Sequence, residues 1–131
     1  MKLLPHEHYA RDLLARLYRE HRVKHHRTLF RVVSRSYTRF AGGRPQIVLG
    51  HESLQRAFEK GFEEYPSVAW VLAGRKPDGL EGVHQLCLHE FAHVLQYRQG
   101  GFRGRCAHNA VFVRHYRDLM QRYPMSAPSS P

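Results

Sequence analysis

The chain has 131 residues, 42% of them apolar, and carries 21 Lys and Arg against 11 Asp and Glu, for a formal charge of +10. A chain of this length buries roughly two-thirds of the surface it exposes when unfolded, which excludes long disordered and fibrous classes and predicts one domain with its own core. No apolar run approaches the roughly 18 residues of a membrane span, and Pro5, His6 and Glu7 interrupt the apolar start at once, so a cytoplasmic protein with no membrane partner is expected.

Cations concentrate at the two ends. Met1 to Phe40 holds ten Lys or Arg and three acids, Ala41 to Tyr97 five and seven, and Arg98 to Pro131 six and one. Seventeen of the 21 cations are Arg, whose planar fork binds phosphate or carboxylate through paired hydrogen bonds, so a polyanionic partner is one expectation. Cys87 and Cys106 belong to no Cys-x-x-Cys pair and read as free thiols.

In chain order, Pro5 to about Arg22 places Ala10, Leu13, Leu14, Leu17 and Tyr18 on one stripe and predicts an amphipathic helix. Thr28 to Phe40 is rich in β-branched and aromatic residues. The turn signal Ala41-Gly42-Gly43-Arg44-Pro45 and the apolar run Ile47-Val48-Leu49-Gly50 follow it, predicting a hairpin or small antiparallel sheet. Ser53 reads as the cap of a second helix in which Leu54, Phe58 and Phe62 recur every four residues until Tyr65-Pro66. Ser67 to Leu72 fits either strand or loop. After the turn at Arg75 to Gly79, Leu80 to about Gln99 reads as one long helix stopped by Gly100-Gly101, and a last helix runs from about Ala107 to Arg122. The expected class is α+β, with residues 1–123 as the domain and the Pro/Ser-rich residues 124–131 as a mobile tail.

Within the long helix stands His89-Glu90-Phe91-Ala92-His93, which puts two imidazoles on adjacent turns of one face, about 6 Å apart at their roots. Such a pair grips one zinc ion. Glu90 lies about 100° around the helix from His89, beside the metal rather than on it, where it takes a proton from the water the metal activates. Val83, Cys87, Leu88, Phe91, Val94 and Leu95 fall on the opposite arc, so the helix back is expected to be core, with Cys87 a core thiol, and the metal face to look elsewhere.

A catalytic zinc takes three protein ligands and leaves one position open, so a third ligand is needed downstream. No Glu follows His93, and Gln96 and Gln99 stand where a Gly and a third His would make a metzincin. His108 is the favoured candidate, grouped with Phe112, His115 and Leu119 on one face of the last helix. His115, Asp118 and Cys106 remain alternatives. The other histidines, at positions 6, 8, 21, 25, 26, 51 and 84, have no ligand spacing tied to this site.

Leu88-His89-Glu90-Phe91-Ala92-His93, a glycine-containing spacer, and then His108-Asn109-Ala110-Val111-Phe112 resemble the SprT-like zinc metallopeptidases. The likeness covers about residues 5 to 122, with Ala107 and Asn109 where that family usually has glycines, and without its frequent C-terminal zinc ribbon. The resemblance implies a minimal zincin in which His89, His93 and His108 hold one zinc ion, Glu90 is the general base, Phe112 packs, and a protein or peptide substrate is hydrolysed. Tyr97, His115 or an Arg between residues 98 and 105 are candidate oxyanion donors.

Alternate residues from Arg27 to Arg39, among them Arg27, Arg31, Arg35 and Arg39, are expected on one strand face, where Arg interleaved with an aromatic suits a nucleic-acid backbone. The bland reading is a solvated strand protected from edge-to-edge aggregation. The resemblance adds weight to DNA, because eukaryotic members of the family degrade DNA-crosslinked proteins. The expected assembly is a monomer. The competing function is a basic nucleic-acid-binding module whose metal is purely structural.

Overall fold

The opening stripe forms α1, Pro5–Glu20, in a computed structural model that describes residues 2–100 and 107–125. Proline occupies the first turn, where its missing N–H costs nothing, and Glu7 Oε1 accepts the backbone N–H of Leu4 at 2.8 Å. Ala10, Leu13, Leu14, Leu17 and Tyr18 are all buried, as the stripe predicts.

The β-rich segment is not one strand. It divides into β1, Arg27–Arg31, and β2, Tyr37–Ala41, with β3, Arg44–Gly50, between them in the sheet order β1-β3-β2. β2 and β3 make the expected antiparallel hairpin, closed at Ala41–Arg44 by Gly42 and Gly43, both at positive φ, which suits a two-residue hairpin turn. β1 pairs with β3 in parallel, so the sheet is mixed rather than antiparallel. The chain must therefore pass from one side of β3 to the other between residues 32 and 36. It does so across Gly50, where a Cβ would lie 2.5 Å from the Arg35 carbonyl oxygen and 2.7 Å from that of Val33. This crossing is why a continuous strand face through Arg27, Arg31, Arg35 and Arg39 does not form. Arg27 and Arg31 lie on one sheet edge, Arg39 on the other, and Arg35 in the crossing.

α2 spans His51–Glu59, with Gly50 as its cap, three residues before the expected cap at Ser53. The Ser53 hydroxyl is engaged instead by Ser36 Oγ at 3.0 Å, while Ser36 accepts the Gly50 N–H at 3.0 Å. A 3-10 segment, Pro66–Leu72, occupies the stretch left between strand and loop. The long helix is α3, Gly79–Arg98, followed by Gly100 at φ 79°, and α4 covers Ala110–Arg122. The molecule is thus α+β, with five helical segments and a three-stranded mixed sheet among the described residues.

α3 is its axis. Every residue from Gly82 to Gln96 is buried, because α1, α2, α4 and β2 pack around it. The expectation that only one arc of this helix is core fails for that reason, and the histidine face is as enclosed as the apolar one. One apolar cluster links α1, α2, α3, α4 and β3 through residues such as Leu14, Ile47, Leu54, Phe91 and Leu119.

Candidate metal centre

The 3.6-residue helical repeat sets His89 and His93 one above the other on α3, with ring centroids 5.1 Å apart. His108 comes from outside any helix, in the turn before α4. This corrects its expected place within the last helix. Asn109 takes the cap position, accepting the Phe112 N–H on its side chain at 3.1 Å, so the helix begins after His108.

The imidazoles of His89, His93 and His108 each present a nitrogen, and these nitrogens lie within 4.8 Å of one another, close enough to hold one metal ion. His89 Nε2 and His108 Nε2 are 3.2 Å apart. Two nitrogens each about 2.0–2.1 Å from one tetrahedral ion would be separated by about 3.3–3.4 Å, so the spacing fits a shared cation. Phe112, fully buried, packs against all three rings at centroid distances of 4.9, 4.5 and 4.9 Å.

The remaining ring nitrogens of His89 and His93 are anchored, which fixes the tautomers of those two rings. His89 Nδ1 donates to Glu64 Oε2 at 2.9 Å, and the Tyr116 hydroxyl donates to the same oxygen at 2.7 Å. Gln85 Nε2 in turn donates to the Tyr116 hydroxyl. His93 Nδ1 donates to Gln96 Oε1 at 2.9 Å, and Gln96 Nε2 donates to the Ala107 carbonyl and to Asn109 Oδ1, both at 3.0 Å. Gln96 therefore ties the second histidine to the cap that ends the third histidine's turn.

Electrostatics follow from this wiring. Burial pushes the Glu64 carboxyl up, but the hydrogen bonds and charge of His89 and the Tyr116 hydroxyl outweigh it and hold Glu64 below the carboxylate norm. Burial also works against a charged His89, yet the Glu64 hydrogen bond and the nearby Glu90 charge raise it above the imidazole norm. His93 is held down to about 3, chiefly by burial and then by His89. His108 is lowered by burial and by His89. Neutral imidazoles are the form that binds metal.

Glu90 is only 7% exposed and stands apart from the ligand set. The Thr38 hydroxyl of β2 is shared between its Oε1, at 2.8 Å, and its backbone carbonyl, at 3.0 Å. Its Oε2 has no hydrogen-bond partner among the described residues. Burial raises its pKa above the carboxylate norm, opposed by His89 and by the Thr38 hydrogen bond. His89 and Glu90 both line a cleft of about 400 Å³.

The alternatives separate cleanly. His115 Nε2 bonds to Gln99 Oε1 at 2.6 Å and Asp118 borders a groove with Trp70, so neither joins the cluster. Cys106, the arginines at 103 and 105, and residues 126–131 of the expected tail lie outside the described residues. Tyr97 stacks on Phe40 at 3.7 Å, whereas the ring over His89 and His108 belongs to Tyr65, at 5.8 and 4.8 Å. Cys87 is buried and its thiol is pushed up by burial, as a core residue.

Sequence reasoning missed Glu64, Thr38, Gln96 and Tyr65. Gln96 carried a signal, since three residues after His93 is the next position on the same helical face. Glu64 and Thr38 come from separate elements and carried none. No protein-family model matches the chain, and no characterised protein or solved structure matches it, so its functional reading rests on this geometry.

Proposed function

We propose that the protein is a zinc-dependent peptidase of the minimal-zincin type, similar to the SprT-like enzymes. The observation that carries this reading is the buried three-imidazole cluster with Glu90 next to it in sequence, His89 and Glu90 both lining one cleft. Among the described residues the cluster offers three ligands and no fourth, the donor number of a catalytic rather than a structural zinc. Zinc, held by His89, His93 and His108, supplies Lewis acidity toward the water and the scissile carbonyl.

The rest is done by the chain. Glu90, its carboxyl held by Thr38 through one oxygen, receives the proton of the attacking water on the other and passes it to the departing amide nitrogen as the C–N bond breaks. Its burial makes it a stronger base than an exposed carboxylate. Glu64 and Gln96 keep the ligand rings in one orientation. β2 is a sheet edge packed on α3, so its open side offers main-chain groups along which an extended substrate aligns.

The competing reading, a basic nucleic-acid module with a structural metal, has no use for a carboxylate at this position. In Glu90→Gln, zinc content should stay near one per chain while hydrolysis of an unfolded protein substrate falls by at least about 10²-fold, the lower end for loss of a general base. Equal hydrolysis by the variant would refute the peptidase reading. A thiolate-to-metal charge-transfer band in the cobalt-substituted protein would instead point to Cys106 as a fourth ligand and a structural site.

A further inference from the structure

The cleft lined by His89 and Glu90 is also lined by Arg35, Arg56, Lys60 and Lys76. These four cations are not equivalent. Arg56 is engaged by the Ser34 carbonyl at 3.2 Å and by Glu52 at 3.9 Å, and Lys76 by Glu63 at 3.7 Å. Arg35 and Lys60 have no ion pair among the described residues. No acid of the cleft makes an ion pair with either of them. Glu63 faces Lys76, Glu64 is committed to His89 and Tyr116, and Glu90 is the base held by Thr38. The cleft therefore presents two positive charges without an ion pair to whatever enters beside the metal centre.

Arg35 is held there by backbone, not by chance. The crossing from β1 to β2 lies against Gly50 so closely that no side chain fits between, and the Gly50 N–H to Ser36 Oγ bond pins the next residue. Arg35 is also near enough to Glu90 for its charge to act on that carboxyl.

We propose that the cleft selects polypeptides with an Asp or Glu side chain next to the bond to be cleaved, and that Arg35 and Lys60 are the residues that read it. This rests on the peptidase reading above. A cleft of about 400 Å³ is at the small end of ligand pockets and admits a side chain with a short stretch of main chain. A nucleic-acid duplex, whose phosphates sit on a wide rigid rod, does not enter it. Arg recognises a carboxylate bidentately, and the flexible Lys60 adds a second point of charge.

The test uses three peptides identical except for Glu, Gln or Lys beside one scissile bond, and the zinc-loaded full chain. The Glu peptide should be cleaved with a kcat/KM about tenfold above the Gln peptide, and the Lys peptide should be the poorest. In Arg35→Glu/Lys60→Glu the order should invert, with zinc content unchanged. Arg35→Gln, a milder change, should flatten the preference if the double variant does not fold. Cleavage of all three peptides at one rate would overturn the proposal and leave the peptidase reading intact. A parallel arm measures binding of the labelled peptides to zinc-loaded Glu90→Gln by anisotropy. Preference for the Glu peptide there, with no cleavage by the unaltered protein, would keep the cleft's selectivity and remove the peptidase reading. Displacement of the Glu peptide by a short DNA duplex, lost in Arg35→Gln, would make nucleic acid the ligand and overturn the proposal.

Discussion

Two buried histidines five residues apart on α3 have opposite fates. His84 uses both ring nitrogens on the protein. Nδ1 faces the Tyr9 hydroxyl and Nε2 the Tyr123 carbonyl, each at 2.7 Å. His89 gives only Nδ1 to the protein, through Glu64, and turns Nε2 toward His108 and the shared ligand point. Burial is the same, so it does not mark the functional residue. The distinguishing feature is the nitrogen that the fold orients and leaves without a carbonyl, carboxylate or hydroxyl partner. His84 is a clamp that ties α1 and the end of α4 to α3, whereas His89 is held ready for a cation.

The largest expected effect separates the two directly. In the proposed zinc centre His89→Ala removes one of three ligands and strands the Glu64 carboxylate, so zinc affinity should fall by more than the 10–100-fold typical of losing an outer partner. His84→Ala should leave zinc affinity unchanged and destabilise the fold by about 2–4 kcal/mol, because it opens a cavity, leaves the Tyr123 carbonyl unpaired and leaves the Tyr9 hydroxyl only the Met125 sulfur as a partner. Competition with a chromogenic chelator and urea unfolding measure the two quantities. Loss of zinc in the His84 variant would erase the distinction.

Next in size is the linkage between metal and folding. Zinc that binds only the folded chain should stabilise it by about 4 kcal/mol at a free concentration of 1,000 Kd, and a chelator should reverse this. Unfolding midpoints that ignore zinc would mean that the three imidazoles do not act together.

The outer partners come third. Glu64→Gln and Gln96→Leu should each weaken zinc binding by about 10–100-fold, or 1.4–2.7 kcal/mol, with one ion per chain still bound at saturation. An unchanged affinity in both would show that ring orientation is set by Phe112 packing alone.

This site was half legible in the sequence. The motif on α3 and the favoured downstream histidine follow from helical spacing and from a search for a missing ligand, and both are local arguments. Glu64 lies 25 residues before its partner in the segment after α2, and Thr38 lies 52 residues before Glu90 on an edge strand. Nothing in their local pattern announces either partner, because such pairs are made by tertiary packing. The strand face failed for a related reason. Period-2 alternation from Arg27 to Arg39 holds in β2 but not in β1, whose three central residues are all half-buried, and the parallel pairing of β1 with β3 depends on the path across Gly50, which alternation cannot encode. The expected cap at Ser53 was lost to Ser36, another partner set by that crossing.

His84 also predicts a response to acid. Burial lowers its pKa below the ordinary 6.5, outweighing the Tyr123 hydrogen bond. Below pH 6.5 the unfolded chain therefore binds a proton that the folded chain refuses, and stability present above that pH is lost as pH falls, by up to about 1.4 kcal/mol per unit for one such group. His6, His21 and His26 shift in the same direction, while His89 opposes them. Urea unfolding of the zinc-free protein at pH 7.5 and 5.5 should show the loss, and His84→Gln should show less of it. Equal stability at the two pH values would contradict the direction assigned to these buried rings.

The smallest effects belong to the arginines outside the cleft. Arg39 donates to Gln46 at 2.8 Å on one sheet edge, and Arg27 and Arg31 are exposed on the other. Neutralising any one of them should change stability by no more than about 0.5 kcal/mol. If duplex DNA binds through the chain's net charge of +10, each of these arginines that touches a phosphate should account for about 0.9 in the slope of log K against log salt. Because β3 lies between the two edges, their contributions should be independent and additive. A single substitution that lowers the slope by two or more would show the arginines acting as one continuous strip, which the crossing at Gly50 prevents within this fold.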